Sequence, residues 1–145
     1  MKKNNQFFNV IICTLFIISI ILSSQCSSPE KPGEDASIKY KIEAADLYDA
    51  FSKNEEEANQ KFLNRIIEVN GPLASIHTDA KNNTVLFLLD DLFGIRCSLD
   101  STYSASNKEV LIGLSPGENI RVKGKCNGLQ TDVQLSECVI LNSKE

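Results

Sequence analysis

The sequence predicts a mainly β domain, built as a small closed barrel of five strands and preceded by a short helical segment. Five stretches carry strand patterns, and one of them, residues 65–77, is long and interrupted by Gly71 and Pro72. A glycine inside a strand marks a bulge or a sharp bend, and a proline cannot donate a hydrogen bond to the neighbouring strand. A strand bent in this way can serve two sheets, as the first strand of a closed barrel must.

The N-terminal residues 1–25 have the layout of a secretory signal. Two lysines precede an apolar run of 16 residues, from position 7 to position 22, and a short polar stretch follows the run. A helix that spans a membrane needs about 20 apolar residues, so the pattern favours a cleaved signal over the alternative of a retained anchor helix. We therefore expect that the protein is exported.

Cys26 follows the expected signal directly. Residues 22–26, LSSQC, resemble the lipobox of bacterial lipoproteins, in which the cysteine is acylated, although Gln25 stands where Gly, Ala or Ser is usual. An ordinary signal followed by a chance cysteine is the alternative. Residues 26–37 are polar and contain two prolines and a glycine, which is typical of a flexible tether. We expect a lipid on Cys26 and a folded domain over residues 38–145.

The charge balance argues against a nucleic-acid partner. The chain has 15 Lys and Arg against 19 Asp and Glu, and loss of the two signal lysines takes its formal charge from −4 to −6. Affinity for nucleic acid comes largely from Lys and Arg side chains that neutralise phosphates. A partner that is a protein, a peptide or a glycan fits this balance better.

Two helices are expected ahead of the barrel. The apolar residues of the first recur at helical spacing and form one face: Ala44, Leu47, Tyr48 and Phe51. The second helix has a start signal, because Asn54 can cap it and Glu57, three residues later, completes a capping-box pattern.

Four strands follow the bent one, at residues 84–89, 94–99, 118–126 and 133–141. The strand at 84–89 is nearly continuous in its apolar character, whereas the strands at 94–99 and 118–126 alternate between the two faces, as in a strand with one face in a core. The last strand alternates at its start, but the register of its apolar run at residues 138–141 is ambiguous. In the second of these four, for example, Cys97 faces one side while Arg96 faces the other. A polar stretch with a helical turn around residues 108–112 separates this strand from the next.

Arg121, Lys123 and Lys125 form a basic row on one face of the strand at 118–126. Such a row can contact phosphates, but single-stranded nucleic acids also stack on aromatic side chains. The barrel segment contains three aromatic residues, none of them on the row: Phe87, Phe93 and Tyr103. We therefore interpret the basic row as a solvated outer face.

Several segments together carry a more specific resemblance: ADLYDAFSKNEEEANQKFLNR leading into IIEVNGPL, then GIRCSLD, LSPGENIRVKGKCNG and DVQLSECVIL. They are similar to the tRNA-anticodon-binding-like (tRNA_anti-like) OB-fold family, in the form found among bacterial envelope lipoproteins. The resemblance covers residues 40–141. It implies a Greek-key barrel of five strands with a helical insertion after the third, and no general catalytic site.

The sequence offers no convincing catalytic or metal-binding set. His77 is the only histidine, so a site built on several histidines is excluded within one chain, and we expect it at the surface of a strand end. Asp90, Asp91 and Arg96 match the residue types of a nuclease-like hydrolase. Adjacent carboxylates point to opposite faces of a strand, however, and a polar turn explains them more simply. We expect no enzyme activity, no metal and no cofactor.

Cys97, Cys126 and Cys138 lie in the barrel segment. Export permits a disulfide, and no CxxC pair supports a zinc site. In the OB order the third and fifth strands are neighbours, so Cys97 and Cys138 are the expected pair. By strand register Cys126 is expected about five residue pairs from the position opposite Cys138, which is too far for a disulfide. The alternative is that all three remain small buried residues.

These observations lead to one functional expectation with two alternatives. We expect a lipoprotein of the bacterial cell envelope, anchored to a membrane through Cys26 on the periplasmic side or the cell surface, whose OB barrel binds an envelope protein, peptide or glycan without catalysis. A nucleic-acid-binding OB protein is the main alternative. A nuclease-like hydrolase is the other.

Overall fold

The structure is a computed structural model that describes residues 37–141. The expected signal, Cys26 and all but the last residue of the expected tether lie outside the described residues. No helix within residues 37–141 has the length and apolar character needed to cross a membrane.

The described residues form strands and helices in the following order: β1 (Tyr40–Glu43), α1 (Ala44–Lys53), α2 (Glu55–Phe62), β2 (Ile66–Thr78), β3 (Thr84–Leu88), β4 (Ile95–Leu99), α3 (Ser101–Ser106), α4 (Lys108–Gly113), β5 (Asn119–Leu129) and β6 (Val133–Leu141).

Strands β2 to β6 close into a barrel in the order β2, β3, β4, β6, β5 and back to β2. The long strand β2 makes this closure possible, because its residues 66–72 pair with β5 while its residues from Leu73 onward pair with β3. The register shifts between Leu73 and Ser75, next to the predicted bend. Strands β4 and β6 are parallel neighbours, and the other pairs that close the barrel are antiparallel. The predicted OB-fold barrel is confirmed.

Gly71 also allows helix α1 to approach the barrel. A Cβ atom at Gly71 would lie 2.7 Å from the Cβ of Ala44, the first residue of α1. Because glycine leaves this space open, Leu47 and Phe51 of α1 become fully buried and join the barrel core around Ile67 of β2. The helical lead-in is therefore part of the same hydrophobic core as the barrel.

The predicted start of the second helix is also confirmed. The side-chain Oδ1 of Asn54 accepts a hydrogen bond from the backbone N–H of Glu57 at 3.2 Å, as an N-cap does. The Asn54 Nδ2 donates in return to the Glu57 carboxylate at 3.3 Å. The Glu57 carboxylate thus bonds to the side chain of Asn54, whereas in a capping box it would bond to the backbone N–H of the cap residue.

Two elements go beyond the sequence expectation. Strand β1 pairs in parallel with β2, with Ile42 beside Val69, and lies outside the closed barrel. β1 has only four residues, which is too short for alternation to predict a strand. It is recognised as a strand only through its pairing with β2. Helix α3 precedes the expected helical turn, which is α4, and Asp100 caps it by accepting from the Tyr103 N–H at 2.9 Å.

Candidate functional site

One row of outward side chains crosses four strands of the barrel. Ser75 of β2 pairs with Phe87 of β3, Phe87 pairs with Arg96 of β4, and Arg96 pairs with Gln134 of β6. All four are half-buried. Together with the exposed His77, two residues beyond Ser75, we call these residues the sheet face. The pleat forces them outward, because their neighbours along each strand face the core.

Contacts between side chains hold the sheet face in place. The rings of His77 and Phe87 meet edge to face, with centroids 5.6 Å apart. Arg96 Nη1 donates to Ser98 Oγ at 3.0 Å and to Gln134 Oε1 at 3.2 Å, so the guanidinium bridges β4 and β6. The sheet face therefore presents an aromatic ring beside a fixed cation and an amide.

The loop between β3 and β4 adds exposed apolar side chains. Leu92 is 66% exposed and Phe93 is 61% exposed. Asp90 folds back on its own loop and accepts from the Leu92 N–H at 2.8 Å, while Asp91 accepts from the Ser75 hydroxyl. The two aspartates thus lie in a loop and are engaged by partners other than Arg96, as expected for a polar turn.

The basic row is not the solvated outer face that the sequence suggests. Lys123 is only 2% exposed, and Arg121 and Lys125 are half-buried. Glu68 of β2 stands opposite Lys123, and its carboxylate contacts Lys41 Nζ at 3.1 Å and Arg121 Nη1 at 3.5 Å. The interpretation was wrong because alternation identifies the face of a strand but not what packs on that face. Arg121 and Lys123 of the row therefore lie beside the buried carboxylate of Glu68, and Arg121, Glu68 and Lys41 form an ionic cluster.

The three barrel cysteines are buried free thiols in the structure. Burial raises the pKa of Cys138 well above its usual value, and a hydrogen bond between the Cys138 and Cys97 side chains raises it further. Burial also raises the pKa of Cys126. Cys97 and Cys138 are thus in contact across the neighbouring strands β4 and β6, and the disulfide between them stays a prediction.

The expected register of Cys126 is wrong. Cys126 pairs with Leu135, and the Cys138 sulfur lies against Gly124, only two residues from Cys126 along β5. The β5–β6 register shifts twice, and its last pair, Leu129 with Val133, leaves a loop of only three residues. Counting residues across a regular hairpin could not predict these irregularities.

Comparison with known proteins now gives the family. The family model of tRNA_anti-like proteins matches residues 1–140. The chain belongs to the tRNA_anti-like family. The resemblance seen in the sequence is therefore confirmed, and it extends over most of the chain. No curated protein sequence matches the chain.

A solved structure with a TM-score above 0.5 supports the fold of this tRNA_anti-like protein. A crystal structure from Klebsiella pneumoniae, described as a candidate nucleic acid-binding lipoprotein, has a TM-score of 0.57 and 18% identity, with 77% of this chain and 99% of that chain covered. The Schizosaccharomyces pombe Stn1–Ten1 complex matches with a TM-score of 0.40 and 24% identity, over 54% of this chain and 59% of that chain. The engineered OBody AM1L10, bound to hen egg-white lysozyme, has a TM-score of 0.40 and 19% identity, over 58% and 85%.

The sheet face of this tRNA_anti-like domain lies where OB folds commonly hold ligands. Strands β3 and β4 are the second and third strands of the barrel, and OB folds bind oligonucleotides and oligosaccharides on that face. The sequence showed that Arg96 points away from the core, but not that Phe87 and Gln134 flank it. Residues 84–89 are almost all apolar, so alternation gave no signal for the outward position of Phe87, and strand pairing was needed to align the row. Among residues 37–141, no cluster of His, Cys, Asp or Glu is arranged to hold a metal ion.

Proposed function

We propose that this chain is a lipid-anchored envelope protein whose OB barrel is a binding module without catalytic activity, with the sheet face as its contact surface. The supporting observation is the continuous row of Ser75, Phe87, Arg96 and Gln134 across four strands. Contacts within the protein already fix the ring and the guanidinium, so a ligand meets a preorganised surface and little side-chain entropy is lost on binding.

The proposed ligand is an envelope protein, a peptide or a glycan. The sheet face combines an apolar ring with donors and acceptors, which suits ligands of mixed polarity. The positive charge of the sheet face is modest, because Arg96 has an acidic neighbour, Asp79. Hydrogen bonds from Asn83 lower the pKa of the Asp79 carboxyl, and the nearby charge of Arg96 lowers it further. With a formal charge of −6 after signal removal, the protein repels a polyanion at long range.

The anchoring half of the proposal rests on Cys26 and on the signal-like residues before it. In cells, we expect Cys26→Ala to release the full chain from the membrane fraction or to leave it with an uncleaved signal. Cys13→Ala, which changes a cysteine inside the signal, is the matched control and should keep the wild-type mobility and membrane association. If Cys26→Ala leaves both properties unchanged, the apolar run of residues 7–22 is the anchor instead of a lipid.

The binding half is tested on the full chain in detergent micelles. Soluble envelope glycans and peptides are screened by chemical-shift perturbation, and a ligand of the sheet face should shift the amides of residues 75–77, 85–87 and 96–98. Phe87→Ala should weaken binding at least tenfold. Phe93→Ala, which removes an exposed ring from the adjoining loop, shows whether that loop contributes. If none of the screened ligands shifts these sheet-face amides, the assignment of the sheet face is contradicted.

Single-stranded nucleic acid is the second candidate ligand. It is favoured by Phe87 beside Arg96, since bases stack on rings and on guanidinium planes, and by the description of the Klebsiella pneumoniae structure. In mobility shifts with single-stranded oligonucleotides we expect no binding at micromolar protein in about 150 mM salt. Binding that persists there and disappears in the Phe87→Ala, Arg96→Gln double variant would replace the first proposal by the second.

A further inference from the structure

A cleft of about 450 Å³ lies at the end of the β2–β3 hairpin, beside α3 and α4. Its volume falls within the range of about 300–1,000 Å³ that is typical of small-molecule sites, which occur at the mouths of β-barrels among other places. Thr78 and Thr84, which pair at the hairpin end, lie on its wall. They continue the inward-facing side of β2 and β3, so the cleft opens at the rim of the barrel and contains no residue of the sheet face.

Hydroxyl and amide groups dominate the polar lining of the cleft. The hydroxyl groups come from four residues: Thr78, Thr84, Ser101 and Ser104. Asn82 and Asn83 add carboxamides, which donate and accept hydrogen bonds. Asn83 Nδ2 already donates to Asp79 Oδ2 at 3.1 Å, so Asn83 offers a ligand its oxygen and its second N–H. Among the residues that the structure describes, no side-chain hydrogen bond engages the hydroxyls of Thr78, Thr84 or Ser101. These groups are free to bond with a ligand.

The rest of the lining narrows the class of ligand. Within residues 37–141, one charged residue, Lys108, lines the cleft and no carboxylate does, so the described lining offers neither a metal cation nor a polyanion the partners that it needs. Ala105, Leu111 and Ile112 form an aliphatic wall, and Ile112 is 84% exposed. A ligand of this cleft should therefore be uncharged, rich in hydrogen-bonding groups and apolar on one side.

Local hydrogen bonds hold both walls of the cleft. In the hairpin loop, Asp79 Oδ1 accepts from the backbone N–H groups of Lys81 and Asn83 at 2.8 and 2.9 Å. On the helical side, the Ser104 hydroxyl donates to the carbonyl of Asp100 at 2.9 Å, and the Tyr103 hydroxyl donates to the carbonyl of Ile140 at 3.2 Å. The cleft is therefore formed before a ligand arrives.

We propose that this cleft binds a neutral sugar that carries an N-acetyl group. The sugar hydroxyls match the threonine and serine hydroxyls, since each side can both donate and accept. The acetamido group matches the carboxamides of Asn82 and Asn83, and its methyl group packs on the aliphatic wall at Ile112. The inference is independent of the sheet face, because the two surfaces share no residue.

The test uses the full chain in detergent micelles and two disaccharides with the same β-1,4 frame, N,N′-diacetylchitobiose and cellobiose. We expect saturable, millimolar binding of diacetylchitobiose in chemical-shift titrations, with shifts in residues 78–84 and 101–112, and binding of cellobiose at least fivefold weaker. Failure of diacetylchitobiose to bind at tens of millimolar, or equal binding of both sugars, overturns the proposal.

Variants separate the cleft from the sheet face. Thr84→Val keeps the shape of the side chain but removes its hydroxyl, and Ile112→Ser removes the apolar wall at an exposed position where folding is not at risk; each should weaken diacetylchitobiose binding at least fivefold. Thr102→Val, an exposed change on α3 outside the cleft, and Phe87→Ala on the sheet face should leave diacetylchitobiose binding unchanged.

Loss of sugar binding in Phe87→Ala but not in Thr84→Val or Ile112→Ser would overturn the cleft as the binding site and point to the sheet face. Saturation of the cleft by acetyl-trialanine amide, without either sugar binding, would overturn it in favour of a peptide.

Discussion

Glu68 of β2 stands directly opposite Lys123 of β5, and both residues are buried, at 5% and 2% exposed. The Glu68 carboxylate also contacts Lys41 and Arg121, from β1 and β5. This acidic group therefore joins three strands at the seam where the barrel closes. Removing one member of a buried ionic cluster leaves the opposite charge without compensation, which costs more than the loss of the contact alone.

We therefore expect Glu68→Gln to lower the free energy of unfolding by about 3 kcal/mol. The Lys41 side chain is 69% exposed, so Lys41→Gln, at the outer end of the same cluster, should cost less than about 1 kcal/mol. Urea denaturation of the two variants measures the difference. Equal effects would mean that solvent screens Glu68 and that its burial does not contribute to stability.

A second prediction concerns Gly124, whose missing side chain leaves room for Cys138. A Cβ atom at Gly124 would lie 2.5 Å from Cys138 Sγ and 3.1 Å from the Ser136 carbonyl oxygen. Gly124→Ala should overpack this site and destabilise the protein by about 1–3 kcal/mol. Gly113→Ala is the control, because nothing lies within 4 Å of its Cβ position. Adding Cys138→Ala to Gly124→Ala should cost less than the sum of the two single changes, and strict additivity would contradict the contact.

The third prediction is the disulfide between Cys97 and Cys138. Their side chains are in contact, and an external disulfide such as oxidised glutathione could accept the two electrons while both thiols lose their protons. Mass spectrometry of the exported, unreduced protein should show a mass lower by two hydrogen atoms, and a linked pair of peptides that contain Cys97 and Cys138. Cys126→Ala should keep this mass difference and Cys97→Ala should abolish it. A link that involves Cys126 would overturn the pairing.

The fourth prediction concerns the pH response of the loop at residues 79–83. Hydrogen bonds from Asn83 lower the pKa of Asp79 below its ordinary value of 3.8. A carboxyl group whose pKa is lowered by folding stabilises the folded loop above its ordinary pKa, and this contribution disappears as the pH falls through the lower value. The amide signals of Lys81 and Asn83 should therefore titrate with a midpoint below 3.8. A midpoint at or above that value would show that these bonds do not persist in solution.

The sequence by itself determined the barrel and its lead-in. Alternation along β4 and β5 identified their core faces, because the side-chain period of a strand is a local property. Gly71 and Pro72 located the bend of β2, since their backbone preferences act within one or two residues. Asn54 and Glu57 located the start of α2 for the same reason. Each of these features depends on neighbours in the chain, which the sequence contains.

Only the tertiary structure decided which residues meet across strands. The pairing of Phe87 with Arg96 and Gln134, the burial of Lys123 opposite Glu68 and the position of Cys138 against Gly124 all join segments that are distant in the chain. Register shifts in β2 and between β5 and β6 move these contacts by one or two residues. A shift of one residue turns a side chain to the opposite face, so faces could be predicted from the sequence while cross-strand neighbours could not.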